Sequence, residues 1–294
     1  MIDSVLQRYS MPDWTRPYIY KYVRGNPSNA IRRAMSFIDV KRRKGEVTDK
    51  YVRLPNGLTF KMGSVVHILS LFYYCESRIS DIRLEWAEGS RGSDLLDYKE
   101  YFKNMADLNA ARMRAIKNLI EGLNYKVGSP SRELVDVLES VRSISNPYER
   151  VIALNVILRD TYARPFGFVF YRIFYPVANE FMRSFGKAFT DLKQENRWGI
   201  DESRRIISDG LLSSESAISL AERILSMTCR SINAELHLAK EAKVLEEAKL
   251  LRDISIAYPL QDLRSMGVEL DVSAEARKII RLSNSASISR CKNP

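Results

Sequence analysis

Carboxylates are the abundant ligand and proton-carrying groups of this 294-residue chain: it holds 36 Asp plus Glu, but only two histidines, His67 and His237, and three cysteines, Cys75, Cys229 and Cys291. Two histidines exclude a His-rich metal site and leave very little for a Ser-His-Asp triad. Glu235 and His237 stand at i and i+2, on different sides of a helix, so one metal does not easily take both. His237 and Glu241, at i+4, share a face. His67 falls among apolar residues and reads as a hydrogen-bonded core histidine. Cys75 and Cys229 read as small buried apolar residues, and Cys291 lies in a basic tail without an identifiable histidine partner. No glycine-rich phosphate loop and no repeat at a fixed period are present.

The elements that must position these residues are helical. Ser64 can cap a helix running to Gly89, with His67, Leu71, Cys75, Ile79, Ile82 and Trp86 as its apolar stripe. A short Gly-Ser-Arg-Gly-Ser connection leads to a second helix, Asp94 to Leu123, whose stripe takes in Tyr98, Phe102, Met105, Leu108, Met113, Ile116 and Ile120. So short a loop favours an antiparallel pair. Helices are expected over Ser131 to Ile144, from Asn146-Pro147 to Ala163, and over Ile200 to Leu212. One long helix is expected from Ala217 to Ala257, ended by Pro259, and a last short helix over Ser273 to Leu282 precedes a Ser-rich tail expected to be mobile. Phe166 to Phe189, the most aromatic stretch, reads as a central core helix divided by Pro176, with a cofactor-binding box of aromatics as the other reading. Before all of these, a helix is expected over Ala30 to Lys44, and Tyr51 to Lys61 reads as a hairpin turning at Asn56-Gly57. The expected fold is therefore all-α: a multi-helix bundle over 63–258, a basic N-terminal helix-plus-hairpin segment over 1–62, and a C-terminal helix with its tail over 259–294.

Within that frame, Trp198-Gly-Ile-Asp-Glu-Ser-Arg-Arg-Ile-Ile-Ser-Asp-Gly210 resembles the D-E-x-R-H segment of di-iron monooxygenase and ribonucleotide-reductase-type subunits, with Glu202 at the carboxylate position. Tyr101 to Leu123 resembles the earlier motif helix, with Asp107 in the carboxylate place and Glu76 on the preceding helix. Ferritin-like bundles of this superfamily hold two metal ions with a carboxylate from each of two helices and an E-x-x-H pair from each of the other two. The chain departs from that pattern where nitrogen ligands are needed: Arg205 stands three after Glu202, and Ala110 three after Asp107, and neither ligates as histidine does. The resemblance covers most of 63–257 as architecture. It implies a ferritin-like scaffold or accessory subunit without a cofactor, in which Glu76, Asp107 and Glu202 are vestigial metal positions and an arginine neutralises leftover carboxylates. The alternative is a di-iron oxidase or hydroxylase that binds iron through reserve ligands such as Glu149, Glu180, Glu235 and His237.

Charge adds a third reading. The net charge is +10, of which residues 1–53 carry +7 and residues 277–294 carry +5, so the body between them is slightly acidic. Two basic ends suggest an acidic partner: nucleic acid, an anionic membrane surface or an acidic protein. Lys41, Arg42, Arg43 and Lys44 are the candidate phosphate contacts, with Trp14, Tyr18, Tyr20 and Tyr22 available to stack on bases. The plainer reading is a solvated helix end that aids solubility. No stretch has the roughly 20 apolar residues of a membrane-spanning helix, and the start of the chain lacks the apolar core of a secretory signal. With so few cysteines, a reduced cytoplasmic compartment is expected. Oligomeric state is left open.

Overall fold

A computed structural model describes residues 46–53, 59–89, 96–163, 197–243 and 245–290. The expected helix over 30–44, the Asn56-Gly57 turn, the aromatic stretch 166–189, the basic cluster Lys41 to Lys44 and Cys291 all lie outside these residues. Three short strands, β1 (Glu46–Val47), β2 (Tyr51–Arg53) and β3 (Thr59–Lys61), form an antiparallel sheet in that order. Val52 lies opposite Phe60 and Arg53 opposite Thr59, whereas a two-residue turn at Asn56-Gly57 would set Val52 opposite Lys61. β1 was not expected from the sequence; the Thr48 side chain accepts from the Lys50 and Tyr51 amides and so turns the chain back onto β2.

The rest is helical. Helices α1 (Met62–Gly89) and α2 (Leu96–Gly122) make the N-terminal pair, followed by α3 (Arg132–Arg142) and α4 (Pro147–Ile152). Then come a π-helical stretch (Ala153–Ala163), α5 (Arg197–Ser208), α6 (Ser214–Glu241), α7 (Leu245–Ser265) and α8 (Val272–Arg290). This is the all-α multi-helix fold that the spacing of apolar residues predicts. Local signals explain several starts. Asn146 accepts from the Tyr148 and Glu149 amides with Pro147 in the first turn, and the Ser213 hydroxyl accepts from the Ser216 amide.

Three expectations need correction. The long helix over 217–257 is two helices, because Lys243 takes a left-handed φ of 59° and closes α6. Pro259 does not end α7 but lies inside it. The ring costs one helical hydrogen bond, yet Ile256, Ala257, Leu260 and Leu263 are fully buried around it, and that packing carries the helix through. The last helix does not stop at Leu282; α8 continues through the Ser-rich segment to Arg290.

α1 and α2 pack antiparallel. The start of α1 and the end of α2 share a small apolar cluster with the sheet, built on Val52, Val65, Val66, Leu69, Ile116 and Ile120. The end of α1 and the start of α2 join a larger core with the remaining helices, through Ile82, Trp86, Phe102 and Met105. At its centre runs the stretch 151–158, buried on all sides across the passage from α4 into the π-helical turns. Among the described residues no helix is long and apolar enough to cross a membrane.

Candidate functional site

The seam between α1 and α2 contains polar residues where apolar ones would complete it. On α2 the buried stripe is Tyr98, Phe102, Met105, Asn109, Arg112 and Ile116, at alternating four and three spacing. The stripe drawn from the sequence passed through Leu108 and Met113 instead, which are only half buried. On α1, Ser80 and Arg83 are buried, and Glu76 lies one turn before Ser80 on the same face. These positions meet halfway along the hairpin, between the two apolar clusters.

Their contacts form one network. The Glu76 carboxylate accepts from Asn109 Nδ2 at 2.6 Å and from Arg112 Nη2 at 2.5 Å. Arg83 Nη1 donates to Asn109 Oδ1 at 2.5 Å and to the Met105 carbonyl at 3.3 Å. The Ser80 hydroxyl donates to the Ala106 carbonyl. Burial depresses the Arg83 pKa from its ordinary value, since removing water disfavours the cation. The same effect pushes the neighbouring Cys75 thiol up, with the Glu76 charge adding to it, so Cys75 is an unreactive thiol.

A second cluster lies nearer the start of α2. The Tyr98 hydroxyl donates to Glu202 on α5, whose carboxylate also takes Arg205 Nε at 2.8 Å and Arg205 Nη2 at 2.6 Å. Arg205, followed by Tyr98, holds the Glu202 carboxyl below the usual carboxylate range, while burial and the Glu202 contact raise the Tyr98 phenol. Trp198 stacks on Tyr101 with ring centres 4.3 Å apart and meets Tyr98 edge-on at 5.6 Å. The Tyr101 hydroxyl donates to Asn155 Oδ1, in the π-helical stretch, at 2.6 Å. Gly199 is wedged against both, and only a residue without a Cβ fits there.

These two clusters decide how far the proposed metal positions converge. Glu76 contacts α2 at Asn109 and Arg112, and Glu202 contacts it at Tyr98, which lies 11 to 14 residues away. At 1.5 Å per residue that is about 16–21 Å along one helix, whereas a dinuclear centre holds its ions about 3.5–4 Å apart. Asp107 is exposed on the outside of α2. Among the described residues, no three His, Cys, Asp or Glu side chains are gathered so that they could hold a metal ion. Glu76, Asp107 and Glu202 therefore do not converge on one dinuclear centre. Of the reserve ligands, Glu149 lies 3.9 Å from Arg223, and Glu180 is outside the described residues.

The two histidines do come together. His67 Nε2 is 2.8 Å from Glu235, the His237 ring lies 6.5 Å from the His67 ring, and Lys61 pairs with Glu241 at 3.2 Å. His67 is thus half buried and hydrogen-bonded to the C-terminal part of α6. His237 is exposed, with Nδ1 turned to the Ala234 carbonyl. At the other basic end, Ala274, Arg277, Lys278, Arg281 and Leu282 of α8 line an open depression of about 440 Å³.

No family model, curated protein or solved structure matches the chain.

Sequence reasoning placed Tyr98 on the inward face of its helix but did not single out Arg83, Asn109, Arg112, Asn155 or Gly199. A signal for two of them was present: Asn109 and Arg112 interrupt an otherwise regular apolar stripe, and a polar residue inside such a stripe is buried or it breaks the helix packing.

Proposed function

We propose that the protein is a non-catalytic helical scaffold or accessory subunit, built on a ferritin-like bundle whose metal-binding positions have been taken over by protein cations. The observation that carries this reading is the Glu76 contact: one carboxylate oxygen accepts from both Arg112 and Asn109 inside the hairpin. A guanidinium at that distance supplies the positive charge that a metal would otherwise bring, with two directional hydrogen bonds in addition. Glu202, about 16–21 Å along α2 from Glu76, is likewise satisfied by protein groups, Tyr98 and Arg205. A bundle of this kind acts through its surface. Its charge distribution favours an acidic partner, nucleic acid or protein, docking on the basic ends.

The test is metal content. Protein purified after growth in iron-supplemented medium should carry far less than the two irons of a dinuclear centre, measured by plasma mass spectrometry. Stoichiometric iron with the absorption band of an oxo-bridged pair would refute the scaffold reading and put the oxidase in its place.

A further inference from the structure

The network on the α1–α2 seam is not balanced in charge. It contains two guanidiniums, Arg83 and Arg112, and one carboxylate, Glu76. Both arginines are almost wholly enclosed, at 5% and 4% exposure, and arginine does not lose its proton in a protein. Glu76 is the one carboxylate that either of them meets among the described residues. Three of their nitrogens, Arg83 Nε, Arg112 Nε and Arg112 Nη1, have no hydrogen-bond partner although they are buried. Buried donors are almost always paired, and a buried unit charge without a counterion is among the most unfavourable arrangements a core can hold. A water molecule can accept from an orphan N–H, but it leaves the extra positive charge in place. An anion does both.

We propose that the middle of the α1–α2 hairpin is a binding site for one small monovalent anion, with chloride as the physiological occupant, held by the unpaired guanidinium N–H groups of Arg83 and Arg112. A single negative charge brings the network to neutrality beside Glu76. A small ion suits donors as deeply buried as these. Solvent reaches this part of the seam along the half-buried band of α1 at 71–79, where the Glu76 side chain keeps 14% of its surface exposed. The site uses neither the vestigial-metal reading nor the basic ends.

The experiment compares thermal unfolding of the full chain in sodium chloride and sodium gluconate, mixed at constant ionic strength. Chloride should raise the wild-type Tm by about 2–4 °C for each tenfold increase above its Kd, as expected for a ligand bound only by the folded state. R83M, which removes one charge and one orphan donor, should lose that response. E76Q leaves the two guanidiniums without a carboxylate, and should respond at lower chloride concentration than wild type. Crystals of the wild-type protein grown in sodium bromide test the site without any variant: an anomalous peak is expected against Arg83 and Arg112. Equal melting in the two salts, a full chloride response in R83M, or bromide peaks only elsewhere would each overturn the proposal.

Discussion

Gly199 is the most demanding packing position in the α2–α5 contact, and a single methyl group measures it. A Cβ built at Gly199 would lie 2.5 Å from the Tyr101 hydroxyl, 2.5 Å from Asn155 Cγ and 2.6 Å from Asn155 Nδ2. Real Cβ atoms do not approach that closely, so either Tyr101 or Asn155 must move, and their 2.6 Å hydrogen bond breaks with the movement. Overpacking of this kind costs about 1–3 kcal/mol, and leaving a buried polar group unpaired costs about 1–3 kcal/mol more. The better helix propensity of alanine returns about 1 kcal/mol. The expected net loss for Gly199→Ala is about 2–4 kcal/mol, which in a chain of this size lowers Tm by about 3–7 °C. Urea and thermal unfolding followed by circular dichroism give the number. Gly63→Ala is the control, since no atom lies within 4 Å of its added methyl, and it should be neutral or slightly stabilising. The clash is also specific: in an Asn155→Ala background the same Gly199→Ala change should cost much less than in the wild type. A Gly199→Ala protein within about 0.5 kcal/mol of wild type would refute the described packing of α5 on α2.

Burial should separate the two arginine–carboxylate pairs. Arg112→Met leaves Glu76 inside the seam with only Asn109 and should cost about 3–5 kcal/mol, while Arg205→Met removes a half-exposed partner and should cost about 1 kcal/mol or less; equal losses in urea unfolding would show that the Glu76 network is not buried. Tyr98 has a raised folded pKa, so its contribution to stability is complete below the ordinary tyrosine value near pH 10 and is lost as pH rises through the folded value; Tyr98→Phe should flatten the alkaline limb of stability against pH. Glu202 has a depressed folded pKa, so its contribution is present above about pH 4.3, the unfolded value, and falls away as pH drops toward the folded one; Glu202→Gln should flatten the acid limb, and unchanged limbs in both variants would contradict the Tyr98–Glu202–Arg205 contact. For the basic N-terminal segment, replacing Lys41, Arg42, Arg43 and Lys44 by Ala should weaken binding to labelled RNA and DNA about equally for all sequences and reduce its salt dependence. Absence of binding by the intact protein at low salt would leave an acidic protein as the partner class.

Helix positions were legible because apolar spacing and caps are local, and the departures have local causes that compete with them. Lys243 carries no residue type that announces a left-handed turn, so α6 and α7 read as one helix until its φ is seen. Pro259 announces a stop, but a fully buried face around it outweighs the missing hydrogen bond. The π-helical stretch also escaped notice: nothing in its residue types announces an extra residue per turn, and it packs against α5, α6 and α7.

The candidate site was harder to foresee for a different reason. Spacing tells which residues share a face of their own helix, but it does not tell which helix lies opposite. Glu76 was read from the sequence as a vestigial metal position, and its two partners lie 33 and 36 residues away on the paired helix. Arg205, read from the sequence as standing in a histidine place, contacts Glu202 from a half-exposed position; the other partner of Glu202, Tyr98, lies 104 residues back. The stripe of α2 held the missing clue. Choosing Leu108 and Met113 as its members kept the stripe apolar at the expense of its regularity, whereas the regular stripe through Asn109 and Arg112 puts an amide and a guanidinium in the core. Once those two are inside, the physics of burial requires a carboxylate on the facing helix, and Glu76 is the acidic residue of α1 that sits one turn from the buried Ser80 on the seam. A sequence rule follows for helical pairs of this kind: when a polar residue interrupts a regular apolar stripe, its partner is to be sought on the facing stripe of the neighbouring helix before any ligand spacing is considered.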